Sequence, residues 1–72
     1  MKLSEAKSLT HGTILNHTSS ENRDGTKTRV RVNGKVKTWI RSPEKVKVPL
    51  KYGLYQYLYL TEENLDDWEI AK

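Results

Sequence analysis

Six cations recur at alternate positions around an Asn33-Gly34 pair: Lys27, Arg29, Arg31, Lys35, Lys37 and Arg41, with Trp39 in the same phase. In an extended chain a period of two places them on one face. Cations at that spacing hold phosphates, and an indole among them stacks on a base. Lys45 and Lys47 repeat the alternation with valine further on, and Tyr55, Tyr57 and Tyr59 form a second aromatic set in which every other residue is a tyrosine. Exposed, the tyrosines would stack on bases or bury against a partner protein; packed beneath a terminal helix they would be core. The cations carry a plain alternative too, as a solvated face whose charges keep strand edges from pairing with other chains.

Groups for bond-making chemistry are sparse. His11 and His17 are six residues apart. In one strand they would face the same way about 20 Å from each other, too far to share a metal. Glu62, Glu63, Asp66, Asp67 and Glu69 lack calcium-loop spacing and read as a solvated helix face. No serine or threonine has the sequence context of a triad. The expectation is a binding protein with no catalytic residue, no metal and no cofactor.

The elements that position these residues follow from local pattern. Asn-Gly between alternating segments signals a β-hairpin. A two-residue turn would mix valines with cations on both faces. A three-residue loop, Val32-Asn33-Gly34 with a bulge at Gly34, pairs Arg31 with Lys35, Val30 with Val36 and Arg29 with Lys37. That register puts Thr28, Val30, Val36, Thr38 and Ile40 inside and the cations with Trp39 outside. Residues 12–18 read as a first strand and the segment TSSENRDGTK, residues 18–27, as a polar loop turning at Asp24-Gly25. The hairpin strands span about 26–32 and 35–41, and a fourth strand ends at Pro49, which cannot donate to a ladder. The segment LYQYLYL, residues 54–60, reads as the last strand, with Leu54, Gln56, Leu58 and Leu60 on the face opposite the tyrosines. Thr61 then caps a C-terminal helix whose stripe is Leu65, Trp68 and Ala71. Residues 1–10 carry Leu3, Ala6 and Leu9 at the spacing of one or two helical turns.

Five short strands with a long first loop, a tight central hairpin and a brief turn before the last strand follow the order of a small SH3-like barrel. The expected architecture is a mostly β, five-stranded SH3-like barrel over residues 1–72, with 1–10 as an N-terminal segment and 61–72 as a short acidic C-terminal helix. The string NRDGTKTRVRVNGKVKTWIRSPEKVKVPLKYGLY also resembles short uncharacterised proteins encoded in bacteriophage genomes. There a DGT turn, an RVNGKVKTW hairpin and a PxKxGL step recur in that order. The resemblance spans roughly residues 9–68 and implies no activity.

Charge is the main global fact. The net charge of +4 divides into +8 over residues 1–60 and −4 over residues 61–72. A basic sheet with an acidic tail points to polyanions. A 72-residue chain has a small core, and with no cysteine nothing covalent staples it. The absence of thiols and of an apolar membrane-length run suits a soluble, cytoplasmic protein, in a host cytoplasm if phage-encoded. The leading expectation is a DNA- or RNA-binding protein of limited sequence specificity, using Lys27, Arg29, Arg31, Lys35, Lys37, Arg41, Lys45 and Lys47 for phosphates and Trp39 for stacking, with Tyr55, Tyr57 and Tyr59 as further aromatic contacts. The rival is a non-enzymatic interaction module that attaches to a host protein through the tyrosines or the acidic helix.

Overall fold

A computed structural model of the chain describes residues 1–21 and 27–71, with the backbone alone at residues 19–21 and 27. It runs through α1 (Leu3–Lys7), β1 (Ile14–Glu21), β2 (Lys27–Val32), β3 (Lys37–Thr38), β4 (Val46–Tyr52), β5 (Gln56–Thr61), a 3-10 turn (Leu65–Asp67) and β6 (Trp68–Ile70). Among the described residues every strand pair is antiparallel. β4 pairs with β5 on one side and with both β2 and β3 on the other, while β1 joins β2 to β6. Six segments therefore fill five strand positions, and the sheet curls into an open half-barrel. The mostly β class read from the sequence is the class observed. The Asp24-Gly25 turn lies outside the described residues.

The inner face is aliphatic because the valine and leucine alternation of each strand is in phase with its neighbours. Leu15 pairs with Val30, Val32 with Leu50 and Val48 with Leu60, and all six are buried. Trp68 and Val46 extend this core, and α1 adds Ala6 and Leu9. A five-residue helix is far below the length that is stable alone, so its own burial and the bond from Lys7 Nζ to the Pro43 carbonyl hold it in place. The expected N-terminal helical turn is thus present, with Leu3 partly buried beside Ala6 and Leu9.

The central hairpin does not form. β2 and β3 pair with β4 rather than with each other, so Arg31 lies opposite Lys51 and not Lys35, Val30 opposite Leu15 and not Val36, and Lys37 opposite Lys47 and not Arg29. From Val32 to Lys37 the chain takes five steps while its partners Leu50 and Lys47 are three apart, a bulge of two extra residues. The cause is Pro49. Asn33 N–H donates to the Pro49 carbonyl at 2.8 Å, and in an antiparallel strand a residue's N–H and C=O point the same way. The place from which β4 should answer that bond is therefore occupied by a proline nitrogen without hydrogen. Gly34 leaves the ladder at φ +135°, where a Cβ would also come within 3.1 Å of the Pro49 ring. An even number of extra residues preserves the inside-outside phase, so valines and cations still separate, by a bulged continuous strand instead of a turn.

Three other expectations are corrected. β4 does not stop at Pro49 but continues to Tyr52, because the missing donor faces the bulge and not β5. Thr38 is exposed and Ile40, expected inside, is 99% exposed beyond the end of β3. The C-terminal α-helix is replaced by a turn, a single 3-10 turn and β6. Thr61 Oγ1 accepts the Glu63 N–H at 3.4 Å, two residues on, and its own N–H is taken by Asn64 Oδ1 at 2.8 Å. Side-chain bonds of this local type compete with helix formation. Trp68 still reaches the core and Leu65 packs partly against it, now from a strand and a 3-10 turn.

Candidate functional site

The outer face is built in cross-strand rows. Tyr57, Lys51, Arg31 and Ile14 stand side by side from β5 to β1, and Thr61, Lys47 and Lys37 form a second row. A third row, Arg29, Asn16 and Glu69, runs toward the β6 edge. Two cation pairs are consequently directly opposed, Arg31 with Lys51 and Lys37 with Lys47, an arrangement that destabilises a sheet. Lys47 and Lys51 are four positions apart, so the two pairs sit about 13 Å from each other along β4.

Aromatic rings are interleaved with these charges. Lys47 Nζ lies 4.2 Å from the Tyr59 ring centroid, Lys51 Nζ 5.6 Å from that of Tyr57 and Lys37 Nζ 5.3 Å from that of Trp39. Such placement partly offsets the repulsion between cations. Tyr57 and Tyr59 remain 63% and 50% exposed, so the tyrosines are not covered by any terminal element and their outer edges are open to a ligand. Beside them an open groove of about 500 Å³ is lined by Ile14, Arg29, Arg31, Lys51 and Leu54. The two sets that look separate in the sequence, the cationic strand and the tyrosine ladder, are thus adjacent strips of one face.

The remaining predicted contacts fall around its margins. Lys35 is exposed within the bulge, Trp39 is half-buried just past β3, and Arg41 and Lys45 are exposed in the β3–β4 loop. Tyr55 is exposed in the β4–β5 turn. Lys27 opens β2 opposite Glu21, and its side chain is outside the described atoms. His17 meets the Trp68 ring edge-on at 5.0 Å and so packs against the core indole, whereas His11 is exposed in a turn. Among the described residues no three His, Cys, Asp or Glu side chains converge as metal ligands.

The five acidic residues at positions 62, 63, 66, 67 and 69 are spread over the turn after β5, the 3-10 turn and β6 rather than along one helix face. Glu62 turns back to accept the Val46 N–H at 3.2 Å. Hydrogen bonds from its own and the Val46 backbone, with the Lys45 charge nearby, hold its carboxyl below the ordinary glutamate pKa. Glu69 occupies the β6 edge in the row with Arg29, and Glu63, Asp66 and Asp67 are exposed.

Lys51 and Asn64 escape a reading of the sequence. Lys51 continues the odd-numbered phase of Lys45 and Lys47, and that signal is visible only if Pro49 is allowed inside a strand. Asn64 Nδ2 donates to the Tyr59 carbonyl at 3.1 Å while Oδ1 accepts from Thr61, so one amide caps two groups on the free side of β5. No helix among the described residues is long and apolar enough to cross a membrane. Comparison with protein-family models, with curated proteins and with solved structures finds no match to this chain.

Proposed function

We propose that the protein binds nucleic acid, single strands above all, across the outer face of β2, β3, β4 and β5 and with little dependence on sequence. The observation that carries this is the pair of directly opposed cation pairs, Arg31 with Lys51 and Lys37 with Lys47. Sheets ordinarily avoid that arrangement. A polyanion laid along β4 relieves both pairs at once, which a small anion at either could not. Exposed Tyr57 and Tyr59 beside the lysines supply stacking surfaces that favour unpaired bases, and every base has a π-face, so sequence preference is weak. Arg29, Lys35, Arg41, Lys45 and Trp39 extend the same surface at its margins, and Lys27 belongs to the same strand.

The reading is of a binding protein without catalysis, in the cytoplasm. The strand order with β1 between β2 and β6, a broken second strand position and a 3-10 turn before the last strand supports an SH3-like barrel as its framework. That fold hosts many functions and assigns none. The resemblance to phage-encoded proteins adds no activity either.

The test is a titration of a fluorescent oligonucleotide, single-stranded and duplex, over a range of salt. The expected result is tighter binding of the single strand, with log affinity falling linearly against log salt at about −0.7 per phosphate contact. Absence of binding at low salt would remove the reading and leave the face to a protein partner.

A further inference from the structure

We infer that β5 is a self-association edge, on which a second copy of this chain pairs antiparallel about a two-fold axis at Tyr57. The inference does not depend on nucleic-acid binding. Asn64 bonds the Tyr59 carbonyl and the Thr61 N–H on the side of β5 away from β4. Groups two residues apart in a strand point the same way. The N–H and C=O of Tyr57, and the N–H of Tyr59, therefore face the open side, since β5 pairs only with β4 among the described strands.

The side chains at this edge lack the usual protection. Exposed strand edges are ordinarily guarded by lysine, proline or a bulge. The chain is 31% charged, yet residues 52–61 hold no charged side chain and no proline. The run QYLYLT is a six-residue segment of high β-propensity and zero charge, the composition that favours strand-to-strand pairing.

A second copy is the occupant for two reasons. About a two-fold axis at Tyr57 each chain donates its Tyr57 N–H to the other's Tyr57 carbonyl, so the bonds are reciprocal and the contact closes on itself. The same axis sets the Tyr57 rings opposite each other, with the other tyrosines flanking, which makes favourable aromatic cross-strand pairs. Two copies each of charge +4 repel across their cationic faces, and the uncharged β5 edge is where they can approach. Asn64, by capping Tyr59 and Thr61, restricts pairing to the Tyr57 end of the strand and keeps the association weak.

Sedimentation equilibrium of the full chain without nucleic acid, from micromolar to millimolar concentration, tests this. The expected result is a reversible change from one chain to two, with hydrogen exchange at the Tyr57 amide slowing as the dimer forms. Tyr57→Pro fills the outward N–H position without removing a bond within the chain and should leave circular dichroism unchanged while abolishing dimers. Asn64→Ala should move the midpoint to concentrations lower by about tenfold, because it frees two more backbone groups per chain. A single chain at all concentrations, a dimer that survives Tyr57→Pro, or open-ended higher assemblies would each overturn the inference.

Discussion

The outer face has two halves that differ in how charge is arranged. Toward β6 the row Arg29, Asn16, Glu69 runs from a cation through a neutral amide to a carboxylate, so both signs share it, as on most solvated sheet surfaces. Around β4 the rows oppose cation to cation and add tyrosine rings alongside. The same sheet, with the same core beneath, thus offers an internally compensated surface and an uncompensated one. The lesson is that the informative quantity is the cross-strand partner of each charge, not the number of charges on a strand. By count Arg29 and Arg31 are equivalent; by partner, Arg29 is two strands from a carboxylate and Arg31 faces Lys51.

The largest expected effect destroys both halves together. Val30 is 2% exposed and opposite Leu15, so Val30→Glu buries an unpaired carboxylate at a penalty of several kcal/mol. A core of this size supplies roughly 3–5 kcal/mol in all, and loss of the tryptophan fluorescence signature of the folded state should show the domain unfolded at 25 °C. Deleting residues 61–71 should do the same by removing Trp68 and β6. A folded product of either change would mean that the core is not where the sheet places it.

Next in size is the change that separates the halves. Arg31→Glu combined with Lys47→Glu converts both like-charged rows into opposite-charged ones. It should raise thermal stability by about 0.2–1 kcal/mol per pair while abolishing oligonucleotide binding in about 0.15 M salt. Arg29→Glu, made in the compensated row, should weaken binding far less and lower the salt slope by no more than about 0.7. Equal losses in the two variants would erase the distinction between the halves.

Aromatic stacking comes third. Tyr59→Ala should cost roughly 1–3 kcal/mol in single-strand affinity with little change in salt slope, read by the same titration, and duplex affinity should hardly move. The smallest effect concerns Glu62. Its folded-state pKa lies below the ordinary 4.5 because backbone N–H groups bond the ionised form. Its contribution to stability is therefore complete above that ordinary value and is lost as pH falls through the lower folded one. The melting temperature of Glu62→Gln should lie slightly below that of the parent at neutral pH and converge with it as pH drops below about 4.

Much of this molecule follows from local pattern. The period-two runs RVRV, KVKV and YLYL specify strands with aliphatic inner and cationic or aromatic outer faces, because side chains alternate across a strand whatever it pairs with. The Leu3, Ala6, Leu9 spacing is enough for a helical turn, and Leu65 with Trp68 is recognisably apolar. Pairing partners are another matter. Asn33-Gly34 fits a hairpin turn as well as a bulge, and the choice lies with Pro49, sixteen residues away from Asn33, whose absent N–H breaks the ladder at that point. Thr61 followed by two glutamates fits a helix start equally well, until Thr61 and Asn64 bond each other and the edge of β5.

The sequence by itself determined the alternation along β2, β4 and β5, and with it the cationic and aromatic character of the outer face, since alternation is a property of each strand alone. It misplaced Thr38 and Ile40, which face out at and beyond the end of the short β3. Only the tertiary structure decided that Arg31 opposes Lys51, that Lys37 opposes Lys47 and that the tyrosines lie beside them. Register between strands depends on which backbone donors and acceptors remain available in residues far apart along the chain.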